Sequence, residues 1–161
     1  MIRIAMVIFL ATLGTASFAQ GSDAYVSGHG ALEIFDEQGW LAAPEWVRVW
    51  IGIMALSFLA GLFFLKNHIP ARWVVGGFIA GFLFSTIGFP ALNLVALSGL
   101  IALVHLIFWS PGLVKLIQEH AFTGPFNAYA VWSGWITAVI LFSFVFDVRD
   151  AAIYVMHVLG S

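Results

Sequence analysis

The stretch VRVWIGIMALSFLAGLFFL, residues 47–65, carries a single charge, Arg48, and decides how the rest of the chain is read. As a helix rising ~1.5 Å per residue it would be about 28 Å long, which matches the roughly 30 Å hydrocarbon thickness of a bilayer. Three further stretches have the same character: WVVGGFIAGFLFSTIGF at 73–89, ALNLVALSGLIALVHLIFW at 91–109 and NAYAVWSGWITAVILFSFVF at 127–146. The sequence therefore predicts an all-α fold, an integral membrane bundle of four transmembrane helices within one domain over residues 47–159. Composition argues against a water-soluble alternative. The chain is 62% hydrophobic and 9% charged, against roughly 25% charged in an ordinary soluble domain, so too few polar groups exist to cover a soluble surface.

Upstream, Arg3 precedes an apolar run from Ile4 to Leu13, and small residues stand at Ser17 and Ala19. This is the pattern of a secretory signal over residues 1–19 with cleavage after Ala19; the alternative is an uncleaved anchor that would add a fifth span. A short acidic exported segment, residues 20–46, follows. Lys66, His68 and Arg72 lie between the first and second spans and Lys115 between the third and fourth. By the positive-inside rule those connections are cytoplasmic. The expected location is the inner membrane of a Gram-negative-type bacterium, with both mature termini periplasmic.

Local signals suggest the boundaries. Trp40, Trp46 and Trp50 gather near the start of the first span, Trp73 opens the second and Trp109 closes the third, as expected for amphipathic rings at headgroup depth. Gly88 to Ala91, with Pro90 inside, predicts a tight turn between the second and third spans. Ser110 suits an N-cap and Pro111 a first helical position, while Gly124 and Pro125 suit a stop. A short interfacial helix over residues 111–121 is therefore expected between the third and fourth spans. Gly77, Gly81 and Ser85 recur every fourth residue in the second span, and Ala130, Gly134 and Ala138 do so in the fourth. Such stripes of small residues predict close helix packing.

Chemically active groups are few. Arg48 stands at the very start of the first span, which leaves His105 as the one clearly intramembrane histidine or charged residue; it is on a face with Ser98, Ala102 and Trp109 and is read as about one turn from the cytoplasmic edge. If His68 and His120 converged on it, the set could hold a metal ion, or two of the histidines a haem iron. Asp147, Arg149 and Asp150 follow the fourth span as a periplasmic charge cluster. With His29, Glu33, Asp36 and Glu37 they could form an acidic mouth for cations, although no carboxylate is expected inside a span to receive the ion. An enzyme is not expected, since no phosphate-binding loop, nucleophile elbow or paired carboxylates occur, and Ser98 lies two turns from His105. The absence of cysteine removes disulfide and thiolate chemistry. A net charge of -2 with no basic run gives no footprint for nucleic acid. The sequence expectation is thus a non-catalytic accessory or assembly subunit of a larger membrane complex, partnered by the lipid bilayer and by other membrane subunits or itself. The alternatives are a small cation transporter or channel subunit, and a haem- or metal-binding subunit built on His105.

Overall fold

A computed structural model describes residues 30–160 of the chain; the predicted signal peptide and His29 lie outside the described residues. The first described helix is set by its cap. Asp36 Oδ1 accepts the N–H groups of Gln38 and Gly39, both at 2.9 Å, and starts α1 (Glu37–Ala42). After Pro44, α2 (Glu45–Ala60) tightens into a 3-10 turn over Gly61–Phe64. The chain reverses through residues 65–68 into α3 (Ile69–Leu83), which continues through a π turn (Phe84–Gly88) to Ala91. A second reversal leads to α4 (Ser98–Gln118), and a third, over residues 119–127, to α5 (Ala128–Gly160). Among the described residues four helices are long and apolar enough to cross a membrane, at 20, 23, 21 and 33 residues including the turns that extend them. No strand occurs among the described residues beyond one isolated bridge between Ile34 and Leu97.

The bundle has a cap end, where residues 30–42 meet the starts of α2 and α4, and a loop end, which carries the connections 65–68 and 119–127. α4 is central and packs chiefly on α3 and α5, whereas α2 leans mostly on α5. The α3–α4 seam is close because each helix presents a glycine to the other's backbone. A Cβ on Gly77 would stand 2.2 Å from Phe108 O, and one on Gly112 would stand 2.8 Å from Val74 Cα. The α2–α5 seam carries a polar cluster around Ser57. The indoles of Trp132 and Trp135 donate to Ser57 O at 2.9 Å and to Ser57 Oγ at 2.7 Å, while Ser57 Oγ donates to Ile53 O. Phe58, Val74, Trp109, Leu116, Ile136 and Ile140 fill the space between the seams.

Three boundaries differ from the sequence expectation. The turn predicted at Gly88–Ala91 comes later. Pro90 stays helical because the preceding π turn lets Phe89 N–H reach back to Phe84 O, and the helix is closed at Asn93, whose φ of 54° suits asparagine, with Leu94 N–H on Phe89 O at 2.8 Å. The third long helix consequently starts at Ser98 and not at Ala91. Nor is there a separate helix over 111–121, since α4 runs through Pro111 to Gln118. Pro111 lacks the N–H that would reach Ile107 O, yet the buried stripe of Ala102, Trp109, Gly112, Leu113 and Leu116 passes the proline without a change of register; Ser110 Oγ donates to Leu106 O, a different carbonyl. Finally, α5 does not end at Phe146. It continues another 14 residues to Gly160.

Chain reversals at the loop end are tied by side chains. Arg72 Nε donates to Leu65 O at 2.7 Å and its Nη2 to Lys66 O at 2.9 Å, which satisfies carbonyls left open at the end of the 3-10 turn. Asn127 Oδ1 accepts Ala130 N–H at 2.9 Å and caps α5. At the cap end the first donors of α4 are taken by backbone: Ser98 N–H by Glu33 O at 2.9 Å and Gly99 N–H by Ala31 O at 2.7 Å. The segment from Gly30 to Asp36 thereby lies directly over the start of α4.

Candidate functional site

Helical periodicity sorts the cluster Asp147, Arg149, Asp150. Asp147 and Asp150 are three residues apart and share the face of α5 that meets α4, whereas Arg149 is exposed. Asp147 lies opposite His105. The imidazole Nδ1 is 3.4 Å from both carboxylate oxygens, with side-chain exposures of 23% for His105 and 14% for Asp147. One nitrogen can donate to one oxygen at a time, and the angle favours Oδ1, so Oδ2 is left buried without a hydrogen-bond donor among the described residues. For this donation the proton must sit on Nδ1 of His105.

Beneath the pair the bundle is closed by rings. Trp109, one turn along α4, stacks on the His105 imidazole with centroids 4.0 Å apart and planes 16° apart. It is itself packed on Phe58 at 4.7 Å, and Phe58 stacks on Phe78. The Trp109 indole N–H is buried with no acceptor among the described residues. Toward the cap end the environment changes. Asp150 is 6% exposed, and its backbone passes so near α4 that a Cβ on Gly99 would lie 2.6 Å from Asp150 O. Only glycine admits that approach. Above it, a cleft of about 330 Å³ is lined by Glu33, Arg149, Asp150 and Ile153 with residues 30–32.

Several expectations for site residues change here. His105 is not near the far edge of its helix: it stands seven residues from the start of α4 and thirteen from its end, roughly 10 Å and 20 Å along the axis. The sequence places it nearer a helix end because the stretch read there closes at Trp109, whereas α4 runs on to Gln118. Asp147 and Asp150 lie within α5 and not after it, since the 33-residue helix continues past both. Trp109 is not a peripheral ring but a core residue, 2% exposed.

The three histidines are not brought together. His68, in the loop-end reversal, stacks on Tyr129 with centroids 3.4 Å apart. His120 is exposed at the end of α4 with φ 48°, and His105 is two turns below the cap end. Among the described residues no group of three His, Cys, Asp or Glu side chains is placed to hold a metal ion.

Of the expected packing stripes, Gly77 and Gly81 do face α4, where a Cβ on Gly81 would meet Val104 and Phe108 at 3.5 Å, and Ser85 is half-buried in the π turn. On α5, Ala130 is buried, Gly134 faces Phe122 and Ala138 is half-buried. The buried face of α5 instead follows Ser133, Ile136, Thr137, Ile140 and Ser143 toward Asp147 and Asp150. Ser57, Trp132 and Trp135 meet across the α2–α5 seam. Tryptophans and a serine in apolar helices gave no signal that they would bond across a seam. No protein-family model, curated protein or solved structure matches the chain.

Proposed function

We propose that the protein is a small multi-pass inner-membrane component that takes up a proton from the side facing its cap end, with His105 and Asp147 as the loading pair. The observation that carries this reading is an imidazole and a carboxylate, paired with each other on facing sides of α4 and α5, two turns below the start of α4. Ionisable groups at that depth are costly in a bilayer and characteristically mark proton or ion pathways. Imidazole and carboxylate can share or exchange one proton across this contact, and the buried Asp147 Oδ2 offers a second acceptor. The cleft at Glu33, Arg149 and Asp150 lies on the approach from the cap end. Cap end and periplasm coincide if the basic connections with Lys66, Arg72 and Lys115 stay in the cytoplasm.

The stacked rings of Trp109, Phe58 and Phe78 close the bundle below the pair. A complete crossing therefore needs either a ring movement or a second subunit. That supports keeping the chain as a non-catalytic component of a larger membrane assembly, in which this bundle supplies the loading site. Haem or metal binding by His105 with His68 or His120 receives no support from their positions.

The test uses infrared difference spectroscopy on oriented proteoliposomes, with acid steps applied to one side at a time. Uptake of one proton per chain should follow the pH on the side of residues 30–36. The signal should vanish in Asp147→Asn, shift in His105→Gln and persist in Glu33→Gln. A pair that never exchanges its proton from either side is a static latch between two helices, and the proposal fails.

A further inference from the structure

At the loop end, the 3-10 turn that follows α2 and the start of α5 border an open apolar groove of about 600 Å³ lined by Phe63, Phe64, Phe126, Val131, Trp132 and Trp135. Phe63 is 88% and Phe126 73% exposed, so the groove opens sideways from the bundle and not toward its interior. We propose that it seats an acyl chain of an anionic phospholipid whose phosphate is held by Lys66 and Arg72. This inference rests on the four-span membrane reading and is independent of proton loading.

Charge and helical geometry select the occupant. Lys66 follows Phe63 by three residues through the 3-10 turn and its continuation, where Asn67 N–H bonds Phe64 O. Side chains three apart eclipse in such a turn, so Lys66 stands over the face that Phe63 gives to the groove. Arg72 adds a second cation at the same place, because its guanidinium is bound to the carbonyls of Leu65 and Lys66. Neither cation forms an ion pair with a carboxylate among the described residues; Glu119, the acid at this end, is exposed in the other connection. Asn127 borders the groove, and with its Oδ1 engaged by Ala130 N–H its NH2 group remains as a donor for an ester carbonyl. The lining is otherwise hydrocarbon and aromatic, which offers nothing to recognise a polar ring but suits a fatty chain. Basic groups beside a groove between spanning helices, on the cytoplasmic side, match anionic headgroups.

Two cations near the surface, at about 1 kcal/mol each, correspond to roughly thirty-fold preference for an anionic over a zwitterionic lipid. The experiment delipidates the purified full-length protein and supplies an equimolar mixture of phosphatidylglycerol and phosphatidylcholine with matched chains. Native mass spectrometry then counts the lipids retained. Phosphatidylglycerol should dominate by about thirty-fold, and Lys66→Ala, at an exposed position, should cut that preference about five-fold. Val131→Trp should fill the groove and reduce retention of both lipids, with helicity checked by circular dichroism. Equal retention of the two lipids overturns the proposal, as does a preference indifferent to Lys66→Ala or retention indifferent to Val131→Trp. Loss of the infrared proton signal, by contrast, would leave these ratios unchanged.

Discussion

Gly76 and Gly77 are neighbours on α3 with opposite surroundings, and replacing each by alanine isolates the α3–α4 seam. A Cβ on Gly76 meets nothing within 4 Å, while one on Gly77 would stand 2.2 Å from Phe108 O and 3.1 Å from Phe108 C. Ordinary contact begins near 3.4 Å, so Gly77→Ala must part the helices locally by about 1.2 Å. The obstacle is backbone, and no rotamer change relieves it. Overpacking of this kind costs about 1–3 kcal/mol, and the rigid partner places it near 3. A gap approaching 1 Å also forfeits roughly a quarter to a half of the dispersion attraction between the surfaces it separates. Both substitutions gain up to ~1 kcal/mol from the higher helix propensity of alanine. Gly76→Ala should therefore be about 1 kcal/mol more stable than the parent and Gly77→Ala about 2 kcal/mol less stable. Unfolding in mixed micelles by added sodium dodecyl sulfate, followed by far-ultraviolet circular dichroism and tryptophan fluorescence, measures the difference. Equal midpoints for the two variants would refute the close backbone approach of α3 and α4.

Two further substitutions test other joints of the bundle by the same measurement. Ser57→Ala removes the acceptor of the Trp135 indole while leaving Ser57 O to Trp132; a loss of about 1–2 kcal/mol is expected from the stranded N–H, with a change in tryptophan emission. Asn127→Ala removes the side-chain cap of α5 and should cost about 1 kcal/mol, whereas Asn127→Asp, which keeps the acceptor for Ala130 N–H, should cost little.

Much of the architecture was legible in the order of residues. Uninterrupted apolar stretches of spanning length have one economical backbone solution, an α-helix that satisfies its own hydrogen bonds, so four long helices followed from hydropathy and length. Gly77 could be read as a packing position because small side chains every fourth residue lie on one helix face. The positions of reversals were less legible, since they depend on competition. Pro90 and Pro111 are strong local signals for an end and a start, yet a π turn carries the helix through the first, and packing of the buried face of α4 on its neighbours holds the backbone on course through the second. Asn93 closes α3 instead, by a left-handed conformation that the residue permits but does not announce.

Sequence alone determined that the described chain is helical and that four of its helices are apolar and long enough for a bilayer, because hydropathy and helical rise are properties of consecutive residues. Tertiary structure alone decided what the charges near residue 147 are. Read along the chain, Asp147 and Asp150 mark the end of an apolar stretch. In the folded protein α5 carries them past that point, because α4 places His105 against one and the bare backbone of Gly99 against the other. Residues 42 positions apart in sequence meet in that pair. An ionisable group acquires its partner across a helix interface, and no periodicity within either helix encodes which groups will face each other.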